Sequence, residues 1–321
     1  MLVSLGLKPF SEYWITCYYN KILSIFTSID PSYRYAAYMN DYHYDIHDWN
    51  YNHLQLRPMI EFVEKYIQGV FTYLPIYFRE EGTGLDVIKD HIRQKEIVQV
   101  GVDLFYWLPS SINFGVNHWY HTSMINGFDD EKKVFYVFDD DNFGYAEQEI
   151  PEERFLLATN NCTLKSHGDI LKITGDLRPY VFSSNDVVRN AKRLIDEIGA
   201  MKMEPFWLLS EEQFNTGEMR DTIAVHIFQI SKRHYANGFL FQNLLNEYCD
   251  SDIICSLVDR SKKLQKNWLI VRSKVLLVHN TKTDRSKKLS AVNEICKRLF
   301  YEEMEMWNFL IDNIKSLQKP G

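Results

Sequence analysis

Three apolar segments between residues 96 and 141 constrain the fold more than any other part of the sequence. They are EIVQVGVDLFYWLP, HTSMINGFDD and KVFYVFDDD, and each combines apolar runs with a period of two residues. Such segments, when short loops separate them, are typical of buried β-strands. Helical patterns precede them in the chain. The sequence therefore predicts an α+β domain that is built around a central antiparallel sheet.

The first helical pattern covers SEYWITCYYNKILSIFTSID, where apolar residues recur at helical spacing until Asp30-Pro31 ends the helix. Cys17 therefore lies at or just before the N-terminal turn of this helix. Further helices are predicted from Pro58 to Leu74 and from Gly84 to Lys95. The residues 33–57 are rich in Tyr and Asn, and we interpret them as short strands and loops.

Two shorter elements follow the sheet region, and the pattern changes after them. PEERFLLAT predicts a short helix, and ILKITGDLRPYVF predicts one or two strands. Beyond Ser184, long helical patterns continue to the end of the chain. A chain of 321 residues is long enough for two ordinary domains. We therefore predict a mixed domain over residues 1–180 and an all-helical domain over residues 181–321.

Composition and charge exclude several classes of protein. The formal net charge of −7 is unfavourable for a dedicated nucleic-acid-binding protein, because neutralising phosphates requires a cationic surface. No stretch approaches the roughly 20 apolar residues that span a bilayer. The N-terminal MLVSLGLKPF lacks the features of a signal peptide, and the five cysteines form no pairs at metal-binding spacing. These features predict a cytoplasmic protein without a membrane partner.

Charge is distributed unevenly along the chain. Residues 129–154 contain ten acidic and three basic residues, whereas residues 260–298 contain twelve basic and two acidic residues. The basic stretch therefore has a net charge of +10. It is either a solvated helical face or a docking surface for an acidic partner.

A thiol, an imidazole and a carboxylate are predicted to meet at one edge of the sheet. A thiolate is stabilised by a helix N terminus and by a neighbouring imidazolium, and Cys17 is placed to use the first. His121 begins one strand, and the next strand ends in Asp139, Asp140 and Asp141. In a hairpin that turns at GFDDEKK, the start of the first strand lies beside the end of the second. The sequence therefore predicts a Cys–His–Asp triad.

The segments that carry these residues resemble a known family. A cysteine heads an N-terminal helix, a distant strand has His121 six residues before Gly127-Phe128-Asp129, and an apolar strand then ends in Asp139. This pattern resembles the papain-like fold in its bacterial forms, such as the peptidase domains of bacteriocin exporters. Within that group it resembles the butirosin biosynthesis protein H family. The resemblance extends through the whole chain, from CYYN and VGVDLFYWLP to FLFQNLL and KLQKNWLIV.

The resemblance implies a papain-like catalytic domain over residues 1–180, followed by the helical C-terminal domain. It implies transfer of an acyl or peptidyl group from a carrier-protein thioester to an amine or hydroxyl of a small molecule, as a condensing or cyclising step of natural-product biosynthesis such as nonribosomal peptide assembly. Cys17 would be the nucleophile, His121 the general base and acid, and Asp139 the orienting carboxylate. No bound cofactor is implied. The phosphopantetheine thioester would arrive on an acidic carrier protein, for which residues 260–298 are a candidate docking surface.

The resemblance is incomplete around the cysteine. Papain-like peptidases place a Gln shortly before the cysteine to help form the oxyanion hole, and this sequence has Ser11 there. The oxyanion donors would then be backbone N–H groups at Cys17 and Tyr18, with or without the side chain of Asn20. The residues predicted to bind substrate are Tyr18, Asn20, Asp103 and Asp141.

The sequence leaves several alternatives open. The same triad could serve a peptidase, an amidase or a thioesterase. A papain-like scaffold in which Cys17 is merely packed could be a non-catalytic binding or assembly module. His118 is a rival base, and a nearby group of His and Asp residues offers metal-ligand chemistry, although its irregular spacing fits no template and no metal site is predicted. That group consists of His43, Asp45, His47, Asp48 and His53.

Overall fold

A computed structural model describes residues 1–48, 52–77, 84–141, 144–163, 168–201, 217–279 and 284–314. The chain forms two compact units. The sheet unit comprises Met1–Tyr33 and Val63–Pro179, and the helical unit comprises Arg34–Phe62 and Tyr180–Gly321. The later boundary lies between Pro179 and Tyr180. Residues 34–62, which the sequence analysis assigned to the N-terminal domain, belong to the helical unit instead.

The sheet unit is built on one antiparallel sheet of seven strands. Its strands are β1 (Leu2–Ser4), β4 (Phe71–Ile76), β5 (Ile97–Asp103), β6 (Tyr120–Asp129), β7 (Val134–Asp140), β8 (Tyr145–Pro151) and β9 (Gly168–Ile173). The order is β4-β9-β5-β6-β7-β8, and β1 pairs with the end of β6. The prediction of an α+β fold with a central antiparallel sheet is confirmed. The prediction did not include β1 or β8.

The register of the sheet places the start of β6 between the ends of its two neighbours. Val102 on β5 pairs with His121, and Asp103 pairs with Tyr120. On the other side, Met124 pairs with Phe138 of β7, so the aspartates that end β7 lie beside the start of β6. The hairpin therefore brings together the two chain segments that the sequence predicted to share one edge of the sheet.

Gly127 is required by a close approach of β1 to β6. A β-bulge lies between Ile125 and Gly127, and β1 pairs with the residues that follow it. A Cβ atom at Gly127 would lie 2.4 Å from the backbone oxygen of Val3, which is far inside van der Waals contact. The glycine in HTSMINGFDD is therefore explained by packing of the N-terminal strand.

The helices of the sheet unit are α1 (Cys17–Ile29), α4 (Gly84–Arg93) and α5 (Glu152–Asn160). All three were predicted from the sequence. Apolar residues of α4 and α5 pack with those of β5, β6 and β7 in one buried core. This core includes Ile88, Val100, Phe135 and Phe155. Its burial supplies the hydrophobic stabilisation of the sheet.

The predicted helix over residues 58–74 is confirmed only for Ile60–Ile67 and is wrong beyond that segment. The helical structure there consists of α3 (Ile60–Phe62) and one π-helical segment (Val63–Ile67), and β4 then begins at Phe71. The segment IEFVEKYIQGVFTYL has helical spacing in its first half only. Its second half is rich in β-branched and aromatic residues, and it forms a strand because it pairs with β9.

In its described residues, the helical unit combines four long helices with a hairpin and two short helices. The long helices are α6 (Ser184–Ala200), α7 (Gly217–Leu244), α8 (Ser251–His279) and α9 (Arg285–Asn313). The hairpin pairs β2 (Tyr42–Asp48) with β3 (Asn52–Pro58), and α2 (Tyr33–Met39) precedes it. Since residues 34–62 belong to it, this unit is not entirely helical. In the parts of the chain that the structure describes, no helix is both long and apolar enough to cross a bilayer.

Candidate active site

Cys17 is the first residue of α1 and is half-buried. Thr16 caps the helix: its Oγ1 accepts a hydrogen bond from the Tyr19 N–H at 3.1 Å, and its backbone oxygen accepts one from the Asn20 N–H at 2.9 Å. The N–H groups of Cys17 and Tyr18 precede the first residues that have an acceptor within the helix. A thiolate at this position benefits from the positive end of the helix dipole.

Asn20 fixes the loop that leads into α1. Its side chain is fully buried, and its Oδ1 accepts a hydrogen bond from the Ile15 N–H at 2.7 Å. Its Nδ2 donates to the backbone oxygens of Phe10 and Tyr13 at 3.0 and 2.9 Å. Because both amide hydrogens are used, Asn20 has none for an oxyanion. These contacts do not support the predicted roles of Asn20 in substrate binding and in the oxyanion hole, and they give Asn20 a structural role.

His121 and Asp139 form a buried pair on neighbouring strands. His121 Nε2 lies 2.8 Å from Asp139 Oδ1, and the same oxygen accepts the Asp140 N–H at 2.8 Å. The other oxygen, Oδ2, accepts a hydrogen bond from the indole N–H of Trp107 at 2.7 Å. Asp139 is 1% exposed. A carboxylate with both oxygens held in this way fixes the orientation and the tautomer of the imidazole.

The charges of this pair stabilise each other. Burial alone would lower the pKa of His121, but the Asp139 carboxylate and a hydrogen bond with the Cys17 side chain raise it well above its usual value. Burial would raise the pKa of Asp139, but His121 and the donated hydrogen bonds hold it below its usual value. His121 Nε2 is taken by Asp139, so Nδ1 is the nitrogen available to the thiol. His121 and Asp139 are in contact, and Cys17 lines the same cavity as both of them.

A cavity of about 260 Å³ opens beside these residues. Its lining combines the triad with aromatic, apolar and acidic side chains, namely Trp14, Cys17, Leu104, Ser111, Ile112, Asn113, Trp119, His121, Asp139, Asp140 and Asp141. Ile112 and Trp119 are 73% and 66% exposed, so the rim of the cavity presents apolar surface to solvent. The volume is sufficient for the reacting end of a substrate.

Of the other predicted substrate-binding residues, Asp141 lines the cavity and Tyr18 and Asp103 do not. Asp141 accepts a hydrogen bond from the hydroxyl of Ser110 at 2.8 Å. The Tyr18 hydroxyl accepts a hydrogen bond from Tyr73 at 3.1 Å. Substrate binding in this cavity is therefore supported for Asp141 and not for Tyr18 or Asp103.

Asp103 pairs with the rival base instead. It is 1% exposed, and its Oδ2 lies 2.7 Å from Nδ1 of His118. The ring of His118 stacks on Phe105, with 4.4 Å between the centroids, and its side chain is half-exposed. His118 is absent from the residues that line the cavity around Cys17. The structure therefore brings His121, and not His118, to the thiol.

Asp140 adds a second carboxylate next to the imidazole. Its Oδ1 lies 4.0 Å from His121 Nε2. Burial and the neighbouring charge of Asp139 raise the pKa of Asp140 to about 6, against the opposing effects of His121 and Trp14. Its protonation state therefore changes close to neutral pH, while Asp139 stays ionised.

Among the described residues, one group has the geometry to hold a metal ion, and it consists of His121, Asp139 and Asp140. Both oxygens of Asp139 already accept hydrogen bonds, and one of these comes from His121. A metal would have to displace the His121 contact. The donor set therefore fits a triad better than a metal centre.

The sequence also offered a group of His and Asp residues near residue 45 as possible metal ligands. Of this group, only the His43 side chain is described, and its Nδ1 lies 2.9 Å from Glu197 Oε1. The side chains of Asp45, His47, Asp48 and His53 lie outside the described residues.

Sequence reasoning missed Trp107 and Lys21. The indole of Trp107 is fully buried, and a buried indole N–H needs an acceptor; only the fold shows that this acceptor is Asp139. Lys21 follows Cys17 by one helical turn. The sequence places Lys21 within an apolar helical pattern, and a lysine on the buried face of a helix is rare unless it has a partner. This position could have indicated that Lys21 has a specific partner.

No protein-family model matches the sequence, and no curated protein matches it significantly. The resemblance to the butirosin biosynthesis protein H family therefore remains a prediction from the motifs quoted above. The His121–Asp139 contact and the cavity that this pair shares with Cys17 are the basis for assigning a function.

Proposed function

We propose that the protein is a cysteine-dependent acyltransferase with a papain-like catalytic unit. The observation that carries the proposal is that Asp139 holds Nε2 of His121, while Cys17, at the head of α1, lines the same cavity as the imidazole. A thiol, a raised imidazole pKa and a buried carboxylate are the requirements for a thiolate–imidazolium pair at neutral pH.

In the first half-reaction, the Cys17 thiolate attacks the carbonyl carbon of an acyl thioester. The carbonyl π electrons move to oxygen, and the N–H groups of Cys17 and Tyr18 at the start of α1 stabilise the oxyanion. When the oxyanion collapses, the bond from carbon to the donor sulfur breaks. His121 gives its proton to the departing thiolate, so the products are a Cys17 acyl thioester, a free donor thiol and neutral His121.

In the second half-reaction, an amine or hydroxyl attacks the acyl-enzyme. Neutral His121 takes the proton of the attacking group, a second tetrahedral oxyanion forms, and its collapse expels the Cys17 thiolate. The products are an amide or ester and the thiolate–imidazolium pair with which the cycle began. Asp139 keeps the imidazole in one tautomer throughout both steps.

The cavity rim favours an acyl donor that carries a long apolar arm. Ile112 and Trp119 are exposed next to Cys17 and offer apolar contacts. A pantetheine arm and its acyl chain would bury this surface, which stabilises the complex by roughly 25 cal/mol for each Å² of apolar area. We therefore propose a phosphopantetheine thioester as donor.

The basic stretch of residues 260–298 is the proposed docking surface for the carrier protein. It lies on α8 and α9 of the helical unit. Its exposed cations are Arg260, Lys262, Lys263, Lys266, Lys274, Lys287 and Arg298. An acidic carrier protein would be attracted to this surface, mainly through a faster association rate.

A cytoplasmic location fits this chemistry. The five cysteines, Cys17, Cys162, Cys249, Cys255 and Cys296, are all free. A thiol nucleophile requires reducing conditions, because oxidation would remove it.

The experiment that tests the function is intact-protein mass spectrometry after incubation with acyl-pantetheine thioesters. We expect one acyl group to be added to the wild type and none to the Cys17→Ala variant. Cys255 is an exposed thiol in the helical unit and provides a matched control, since Cys255→Ala should be acylated like the wild type. Acylation of the Cys17→Ala variant to the wild-type extent would overturn the assignment.

The second half-reaction distinguishes transfer from hydrolysis. When a panel of small amines is added to the isolated acyl-enzyme, we expect the adduct to be lost faster than in buffer and a conjugate to appear. Loss at the same rate in buffer, with free acid as product, would favour a thioesterase or related hydrolase. Absence of any adduct would favour a non-catalytic module.

A further inference from the structure

One charged side chain beside the triad has no part in the proposed chemistry. Lys21 lies on α1 one turn after Cys17, and only 2% of its surface is exposed. Its Nζ donates hydrogen bonds to Gln99 Oε1 at 2.6 Å and to Thr122 Oγ1 at 2.8 Å. Both acceptors are neutral. A buried ammonium with only neutral acceptors is costly, so the free energy of this arrangement depends on the charges around it.

The charges that favour the ammonium belong to the active site and to one further carboxylate. Burial lowers the pKa of Lys21 to about 8, and the charges of Cys17, Asp139 and Asp169 oppose that effect, with Cys17 contributing most. Coupling between two charges is reciprocal. If a thiolate at Cys17 favours the charged form of Lys21, then charged Lys21 favours the thiolate to the same extent.

The ammonium is held rigidly by two strands of the sheet. Gln99 lies on β5, and its Nε2 donates to Asp169 Oδ2 at 2.8 Å, which orients its Oε1 towards Lys21. Thr122 on β6 directly follows His121 in the chain. Because both acceptors belong to the central sheet, the cation has a fixed position and does not need to reorganise during the reaction.

We propose that Lys21 is a positioning residue of the active site, a buried fixed cation that favours the thiolate form of Cys17. The inference rests on the proposed function to the extent that Cys17 is the nucleophile. The imidazolium of His121 and the ammonium of Lys21 then have different roles. The proton of His121 moves in each half-reaction, whereas the proton of Lys21 stays in place and its charge acts on the sulfur throughout the cycle.

The test is the pH dependence of Cys17 alkylation by iodoacetamide in the full-length chain, followed by peptide mass spectrometry. Lys21→Gln removes the charge and keeps a hydrogen-bonding group, whereas Lys21→Arg keeps the charge. For Lys21→Gln we expect the midpoint of the rate profile to rise by about one pH unit, and the rate below the midpoint to fall by about tenfold. For Lys21→Arg we expect a midpoint closer to that of the wild type.

A matched control is available in the same unit. Lys89 on α4 is also buried, and its Nζ contacts Asp130 at 2.8 Å and also Glu152. The Lys89→Gln variant should lose thermal stability without any shift in the Cys17 profile. A folded Lys21→Gln variant with the wild-type alkylation profile would overturn the inference. Acylation of wild-type Cys17 by a thioester tests the proposed function separately, because alkylation requires no acyl donor.

A further variant keeps the inference testable if Lys21→Gln does not fold. The His121→Asn variant removes the imidazole charge and keeps the Lys21 charge. We expect Cys17 in this variant to be alkylated with a midpoint below that of the exposed Cys255 in the same molecule. Equal midpoints for the two cysteines would show that Lys21 has no effect on the thiol.

Discussion

His121 Nε2 lies 2.8 Å from Asp139 Oδ1, while Oδ2 of the same carboxylate accepts the Trp107 indole N–H at 2.7 Å. The imidazole is therefore oriented by a carboxylate that is itself held from the other side. This arrangement distinguishes a reactive histidine from a surface one, because the ring cannot rotate without breaking contacts in a buried environment.

We expect Asp139→Asn to reduce acyl transfer by roughly 10³- to 10⁴-fold, because an amide at this position permits the wrong imidazole tautomer. Asp140→Asn should reduce it by less than about tenfold, since Asp140 Oδ1 lies 4.0 Å from Nε2. Single-turnover rates with an acyl-pantetheine donor provide the measurement. Equal losses in the two variants would contradict the triad and favour a metal bound by His121, Asp139 and Asp140.

We expect Asn20→Ala to destabilise the sheet unit by about 2 to 4 kcal/mol, because three buried hydrogen bonds to the loop before α1 are lost. Thr16→Ala removes only the helix cap and should cost about 1 kcal/mol. Urea unfolding measures both values. If Asn20→Ala left stability unchanged while reducing acylation of Cys17 a hundredfold, Asn20 would be an oxyanion donor after all.

Gly127→Ala tests whether the fold depends on the close approach of β1. The new methyl group would meet the backbone oxygen of Val3, and we expect a loss of roughly 1 to 3 kcal/mol in the free energy of unfolding. Gly199 on α6 has no atom within 4 Å of the corresponding position, so Gly199→Ala should instead add about 0.5 to 1 kcal/mol. Thermal unfolding of the two variants should therefore shift in opposite directions.

The sequence predicted the central strands and the pairing of His121 with Asp139 because these depend on local patterns and on one hairpin. His121 lies near the start of β6 and Asp139 near the end of β7, and the short turn between these consecutive strands determines which residues meet. The helix that begins at Cys17 was also predicted, from the apolar spacing that follows the cysteine. The His121–Asp139 contact lies between two consecutive strands, and the periodicity of α1 lies within one helix; the approach of Cys17 to His121 depends instead on the tertiary fold.

The failures have a different origin. The side-chain amide of Asn20 could face either the cavity or the loop before α1, and its role depends on which of the two it faces. The residue type alone does not determine that orientation. The segment from Phe71 to Ile76 becomes a strand because β9, about a hundred residues later, pairs with it. Lys21 on α1 and Trp107 in the loop after β5 find their partners on strands β5, β6 and β7. Such contacts depend on the tertiary fold, which periodicity does not encode.

The buried carboxylate of Glu303 makes the stability of the helical unit depend on pH. It is fully buried and accepts hydrogen bonds from the hydroxyls of Tyr42 and Tyr44 and from the indole of Trp307. Burial raises the pKa of Glu303 from 4.5 to about 7, and the three donors only partly oppose this effect. Between pH 4.5 and about 7, Glu303 is protonated in the folded protein and ionised in the unfolded chain, so the folded protein binds more protons. The stabilisation that Glu303 contributes is therefore fully present below pH 4.5 and is lost as the pH rises through about 7.

As the pH rises through this range, we expect the free energy of unfolding of the wild type to fall by on the order of 3 kcal/mol. The Glu303→Gln variant should lack this pH dependence. Above about pH 8 the variant should therefore be more stable than the wild type, because it has no buried charge to desolvate. Glu305→Gln changes an exposed residue of the same helix and should leave the pH dependence as it is in the wild type. Unfolding free energies measured at several pH values test the prediction. A Glu303→Gln variant whose stability still decreases as the pH rises through 7 to the same extent as that of the wild type would show that a different group is responsible.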